Sequence, residues 1–202
     1  MANELSTTLL QVNQLSYDLN GSPLPDGYEL DSRFGTGGKL TNQSVDFQAI
    51  ALRKGDEHII AFRGTESLSD WYANLQLGFS QWNEVRNVVM DYMGAIVADN
   101  PNATFHLTGH SLGGALAQYA AYDWIARSFD ATAALPDQEV TVTTFNGLGG
   151  GEGIAKSMPE IYEDPVVRQQ TSEYIDSALY NRHYYVEGDL VSRLGGGHMG
   201  GG

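Results

Sequence analysis

Ser111 stands between Gly109 and Gly113 in the run Thr108-Gly109-His110-Ser111-Leu112-Gly113-Gly114-Ala115, the G-x-S-x-G spacing of a nucleophile elbow. A serine held this way can attack an acyl carbonyl. Its hydroxyl is a weak nucleophile at neutral pH, so an imidazole must take its proton and a carboxylate must orient the imidazole. Five residues of this pattern also arise by chance in glycine-rich loops, and the flanks decide the matter. Thr104 to Leu107 reads as a short apolar strand, and Leu112 to Ala117 as the start of a helix of small residues. The glycines let strand and helix pass closely while the serine keeps an unfavourable backbone angle. The free N–H groups of that helix would face a developing oxyanion.

The acid and then the histidine follow the serine in chains that carry this elbow. His58 and His106 precede Ser111, His110 lies inside the elbow, and His183 precedes the favoured acid, Asp189. Asp189 stands just past a β-prone run with Gly188 before it. Asp164 and Asp176 remain alternatives, read more readily as solvated helix residues. His198 is then the candidate base, nine residues beyond Asp189 within Gly195-Gly196-Gly197-His198-Met199-Gly200. Either a glycine-rich loop returns it to Ser111, or the base lies beyond Gly202 in a longer protein. The β-prone run Ile59-Ile60-Ala61-Phe62 ends in Arg63-Gly64-Thr65-Glu66. An α/β-hydrolase places its second oxyanion donor at such a strand end, which makes Thr65 the candidate.

These residues need a scaffold, and the periodicities outline one. Leu5, Leu9, Val12 and Leu15 mark a docking helix over residues 3–19; residues 45–52 and 57–62 form a hairpin about Arg53 to Asp56. Ser67 to Leu75 reads as a short amphipathic helix that covers the pocket or meets lipid with Trp71, or else puts Trp71 into the core. A packing helix follows over residues 83–99, and the elbow helix runs to about Arg127. A strand over 139–145 enters the glycine run 146–153, one or two helices occupy 160–180, and a last strand covers 181–186. Strands and helices that alternate in this way predict an α/β fold with a mostly parallel central sheet flanked by helices, as one domain over 1–202. Two other glycine clusters lack the context of a nucleotide site. Gly35-Thr36-Gly37-Gly38 has no P-loop lysine, and the run after residue 145 has no acidic residue on a second βαβ unit.

With 11 Lys and Arg against 25 Asp and Glu, the net charge of −14 disfavours nucleic acid and an anionic membrane approached by charge. Cysteine is absent, which removes disulfides and thiolate chemistry. No signal peptide and no transmembrane run is visible, so location stays open: cytoplasmic, or exported by a signal outside this chain. No cofactor is expected, and no EF-hand or nonapeptide repeat supports a structural calcium.

Taken together, Ala61-Phe62-Arg63-Gly64-Thr65, Asp70-Trp71, Asn74-Leu75, the elbow, Thr144-Phe145-Asn146-Gly147 and Gly188-Asp189-Leu190-Val191-Ser192-Arg193-Leu194 resemble the class 3, fungal-type triacylglycerol lipase family. The resemblance spans residues 57–194 and implies an α/β-hydrolase fold. It implies Ser111 as nucleophile, Asp189 as acid, and an oxyanion hole from Thr65 and the Leu112 N–H. It also implies a lid over Ser67, Leu68, Trp71 and Leu75. Two departures stand out: Phe145-Asn146-Gly147 replaces the more usual Phe-Gly, and the family histidine normally lies further past the acid than His198. Without the secretion signal and disulfides of the fungal members, the chain looks like a bacterial-type relative. The expected activity is cleavage of lipid acyl esters at an interface, with a phospholipase A1 or a short-chain esterase as alternatives. The alternative from another class is a lipid-binding domain that has lost its base.

Overall fold

The computed structural model describes residues 2–19, 22–64, 71–129 and 139–184. The chain opens with α1 (Ala2–Tyr17), a two-residue β1 (Glu29–Leu30), β2 (Lys39–Asn42), β3 (Phe47–Lys54) and β4 (Glu57–Phe62). Then come α2 (Trp71–Asp99), β5 (Thr104–His110), α3 (Leu112–Phe129), β6 (Val140–Phe145), α4 (Gly151–Ser157), α5 (Pro159–Tyr162), α6 (Pro165–Ser177) and β7 (Tyr180–Tyr184). The described strands form one seven-stranded sheet in the order β1-β3-β4-β5-β6-β7, with β2 also on β3. Pairing is antiparallel as far as β3·β4 and parallel across β4·β5·β6·β7. The expected α/β fold with its mostly parallel sheet is therefore the one observed.

Two-residue alternation assigns the faces. On β3 and β4, Ile50, Leu52, Ile59 and Ala61 turn toward α1, where Leu9, Val12 and Leu15 meet them. Ala49, Ala51, Ile60 and Phe62 turn the other way, into the larger core built with α2 and α3. A strand covered on both faces has no polar side, which is why Ile59-Ile60-Ala61-Phe62 reads as an unbroken apolar run. The face under α1 turns polar at β5, where Asn13 Nδ2 donates to Thr108 Oγ1 at 2.7 Å and that hydroxyl donates to the Thr143 carbonyl at 2.7 Å.

One expectation is corrected. The short helix over Ser67 to Leu75 and the packing helix over 83–99 are not separate: from Trp71 onward they form the single 29-residue α2. Phe79, Trp82, Val85 and Val89 bury one continuous stripe across the anticipated gap. The isolated Gly78 within it costs a helix only about 1 kcal/mol and does not end it. Ser67 and Leu68 lie outside the described residues, as do the side chains of Trp71 and Leu75.

Two buried histidines tie this fold to pH. His58 and His106 are both nearly inaccessible, and burial lowers the pKa of each; the Asp31 carboxylate beside His58 and the Glu57 carboxylate beside His106 oppose the shift without reversing it. The unfolded chain therefore binds protons at these sites at a higher pH than the folded one. Their contribution is complete above the unfolded value near 6.5 and is lost as pH falls through that value toward the folded ones. Asp31 acts far lower. Burial would raise its pKa, but hydrogen bonds from the Arg33 side chain and backbone and from Tyr92 hold it down to about 2. Its contribution, present above an unfolded value near 4, is lost only as pH falls toward about 2. Melting temperature should thus fall between pH 7.5 and 5.5, and a His58→Asn, His106→Asn double variant should show a shallower fall. An equal slope in the variant would assign the dependence elsewhere.

Candidate active site

Ser111 sits where β5 ends and α3 begins, at the carboxyl end of the parallel strands. Its φ is +55°, one of three non-glycine residues in the left-handed region among the described residues. The local sequence forces this turn. A Cβ on Gly109 would collide with the Gly113 backbone, and one on Gly113 would collide with the Phe62 carbonyl. Both positions therefore exclude any side chain, and the elbow closes directly onto β4. Three backbone hydrogen bonds hold the serine: its N–H donates to the Phe145 carbonyl at 3.2 Å, and its carbonyl accepts from Gly114 and Leu148, each at 3.0 Å. Its side chain is buried, and its Oγ has no hydrogen-bond partner among the described residues.

Leu112 is the first residue of α3, so its N–H has no acceptor one turn back along the helix and the positive end of the helix dipole falls at the serine. The end of β4 reaches the same point: a methyl placed on Gly64 would lie 3.2 Å from the Ser111 Cβ. Tyr17, the last residue of α1, ties these strand ends together. Its hydroxyl accepts from the Gly64 N–H at 3.1 Å and lies 3.2 Å from His110 Nδ1. Sequence reasoning missed Tyr17, whose partners lie 47 and 93 positions away.

The other candidates divide. His58 and His106 lie toward the opposite ends of β4 and β5; His106 is five residues from Ser111 along an extended strand, about 16 Å. His183 Nδ1 is 2.9 Å from Thr144 Oγ1, and His110 meets Tyr17. Asp164 caps α6 by accepting from the N–H groups of Val166 and Val167, and Asp176 is exposed on the same helix, so both are helix residues of the solvated kind expected. Thr65, Asp189 and His198 lie outside the described residues. Among the described residues, no cluster of His, Asp and Glu could hold a metal ion.

A cleft of about 790 Å³ opens at the other end of the sheet, lined by residues such as Leu5, Tyr28, Glu57, His106 and Thr141. His106 is engaged there, its Nδ1 2.7 Å from Thr141 Oγ1 and its Nε2 3.4 Å from Glu57. Ligands of open α/β sheets bind beyond the carboxyl ends of the strands, which favours the Ser111 end over this cleft.

Comparison with known proteins gives a family and a fold. The family model described as a phospholipase-like, Tle-like phospholipase domain matches residues 17–198. The chain belongs to the Tle-like phospholipase domain family. This Tle-like domain is also 36% identical over 81 residues to secreted mono- and diacylglycerol lipase A of Penicillium cyclopium and of Penicillium camembertii, a match covering 32% of the chain and 27% of each relative. The Rhizomucor miehei lipase in its propeptide complex superposes with a TM-score of 0.65 at 18% identity, over 96% of this chain and 63% of that one. A triacylglycerol lipase from Penicillium expansum gives 0.57 at 16% identity, over 95% and 82%. The lipase from Rhizopus microsporus var. chinensis gives 0.56 at 19% identity, and the Tle-like domain spans 58% of its length. The resemblance to class 3 lipases read from the sequence is borne out as a likeness of fold. No helix among the described residues is long and apolar enough to cross a membrane.

Proposed function

We propose that the chain is a serine hydrolase of carboxylic esters that acts on the acyl esters of lipids. The observation that carries this reading is the Ser111 elbow: a serine at φ +55°, its Oγ unpartnered among the described residues, at the N-terminus of α3. In this reading Ser111 Oγ attacks the ester carbonyl while His198 takes its proton and Asp189 holds the imidazole. The N–H groups of Leu112 and Thr65 stabilise the tetrahedral oxyanion, an effect worth about 3 kcal/mol per donor in such sites. His198 then protonates the departing alcohol as the C–O bond breaks. Water, deprotonated by the same imidazole, cleaves the acyl-serine and regenerates the enzyme. In this reading the lid is the segment from Ser67 through Leu75, whose residues from Trp71 on belong to α2. The family's phospholipase-like description supports a glycerophospholipid as the ester, with triacylglycerols and short-chain esters as the competing substrates.

The experiment is fluorophosphonate labelling mapped by peptide mass, in the wild type, Asp189→Asn and His198→Ala, alongside hydrolysis of phosphatidylcholine vesicles, a triacylglycerol emulsion and a soluble acetate ester. Rapid labelling of Ser111 that is lost in His198→Ala supports the triad. Labelling that survives that substitution moves the base to another histidine. A folded wild type that is neither labelled nor active supports the lipid-binding alternative.

A further inference from the structure

Gln118 lies two turns into α3 and is fully buried. Its amide works in two directions. Nε2 donates to the Gly114 carbonyl at 3.0 Å on its own helix and to the Leu148 carbonyl at 2.9 Å, while Oε1 accepts from the Gly150 N–H at 3.3 Å. The segment 146–150 follows β6 and has no regular secondary structure, so its backbone groups must find partners elsewhere. Gln118 satisfies two of them at once. The same segment touches the nucleophile, because the Leu148 N–H donates to the Ser111 carbonyl. Gly114 and Gly147 make the approach possible: a Cβ on Gly114 would come within 2.6 Å of the Gly147 Cα.

We infer that Gln118 is a positioning residue for Ser111: its amide fastens segment 146–150 to the elbow helix, and through the Leu148 N–H it holds the backbone of the strained serine in the attacking orientation. This rests on the serine-hydrolase reading above. A residue that acts through another should alter turnover and leave substrate affinity alone, so kcat falls while KM stays near its wild-type value. Displacement of the nucleophile by a fraction of an ångström predicts a loss of about ten- to a hundredfold.

Two variants separate positioning from mere support. Gln118→Met keeps the shape and removes the hydrogen bonds to Gly114, Leu148 and Gly150. Gln118→Glu keeps the acceptor toward Gly150, but when ionised it turns a negative charge toward two carbonyl oxygens. When protonated it regains one donor. The Ser111 labelling rate of Gln118→Glu relative to wild type should therefore rise as pH falls from 8 to 6. The same ratio for Gln118→Met should stay low and flat. Both ratios are read well below each variant's melting temperature.

Labelling of folded Gln118→Met within twofold of wild type, or a pH-independent ratio for Gln118→Glu, overturns the proposal. Hydrogen exchange at the Leu148 amide gives a readout that needs no turnover. Its protection should fall in Gln118→Met, and unchanged protection would also overturn the proposal. A wild type that is never labelled at Ser111 fails the hydrolase reading instead, and the Leu148 exchange result still decides whether Gln118 holds the elbow.

Discussion

Ser111→Gly should abolish the ester hydrolysis proposed for this chain and at the same time raise the melting temperature. A non-glycine residue in the left-handed region costs about 1–2 kcal/mol, and Ser111 is held there at φ +55°. Its buried hydroxyl, without a partner among the described residues, adds a desolvation cost of about 1–3 kcal/mol. Glycine removes both and gives back about 0.5–1 kcal/mol in the entropy of the unfolded chain. The expected gain is about 1–4 kcal/mol, a rise of several degrees for a domain of this size. Removal of a triad nucleophile costs about 10⁶-fold in kcat. Calorimetry and phospholipid turnover on one preparation test both halves. A lower melting temperature would mean that the serine side chain stabilises the fold, and turnover above a hundredth of wild type would point to a different nucleophile.

Asp123→Ala should cost about 3–5 kcal/mol of stability, a large fraction of what a domain has. Asp123 is fully buried on α3 and accepts from three donors: Arg86 Nε at 2.9 Å, Arg86 Nη2 at 3.1 Å and Arg127 Nε at 2.8 Å. Arg86 projects from α2 and also pairs with Glu160 of α5, so the carboxylate joins three helices on one face of the sheet. The cost arises mainly from the guanidinium left behind, since only 12% of the Arg86 side chain is accessible. Replacing both partners, as in Asp123→Leu with Arg86→Met, should recover most of the loss. Urea unfolding measures it. A midpoint for Asp123→Ala corresponding to less than 1 kcal/mol would show that water reaches Arg86 freely.

What the sequence disclosed follows the range of the forces involved. The elbow was legible because its main requirement is local: a Cβ on Gly109 would meet the backbone of Gly113 four residues on, and flanking residues state strand and helix by their period. The strand β4 and the stripe of α2 from Val85 onward were legible for the same reason. The continuity of α2 was missed because a glycine at 78 suggests an interruption that packing overrides. Tyr17 and Gln118 were missed because a hydrogen bond across 30 or more positions leaves no mark on local composition. The same holds for the Arg86–Asp123 pair, 37 positions apart. Of the candidate site, Ser111 and Leu112 lie beside Gly64, whereas Asp189, His198 and Thr65 lie outside the described residues.

The elbow helix carries a further consequence. From Leu112 through Ala126 every residue of α3 is buried, so this stretch of the helix has no solvent side. A surface helix can drift on its wet face while its apolar stripe stays put. This one offers selection almost no neutral positions, because a larger side chain must displace something in every direction and a smaller one leaves a void. A substitution in it is therefore accommodated only by a compensating change in α2, α6 or the strands beneath it.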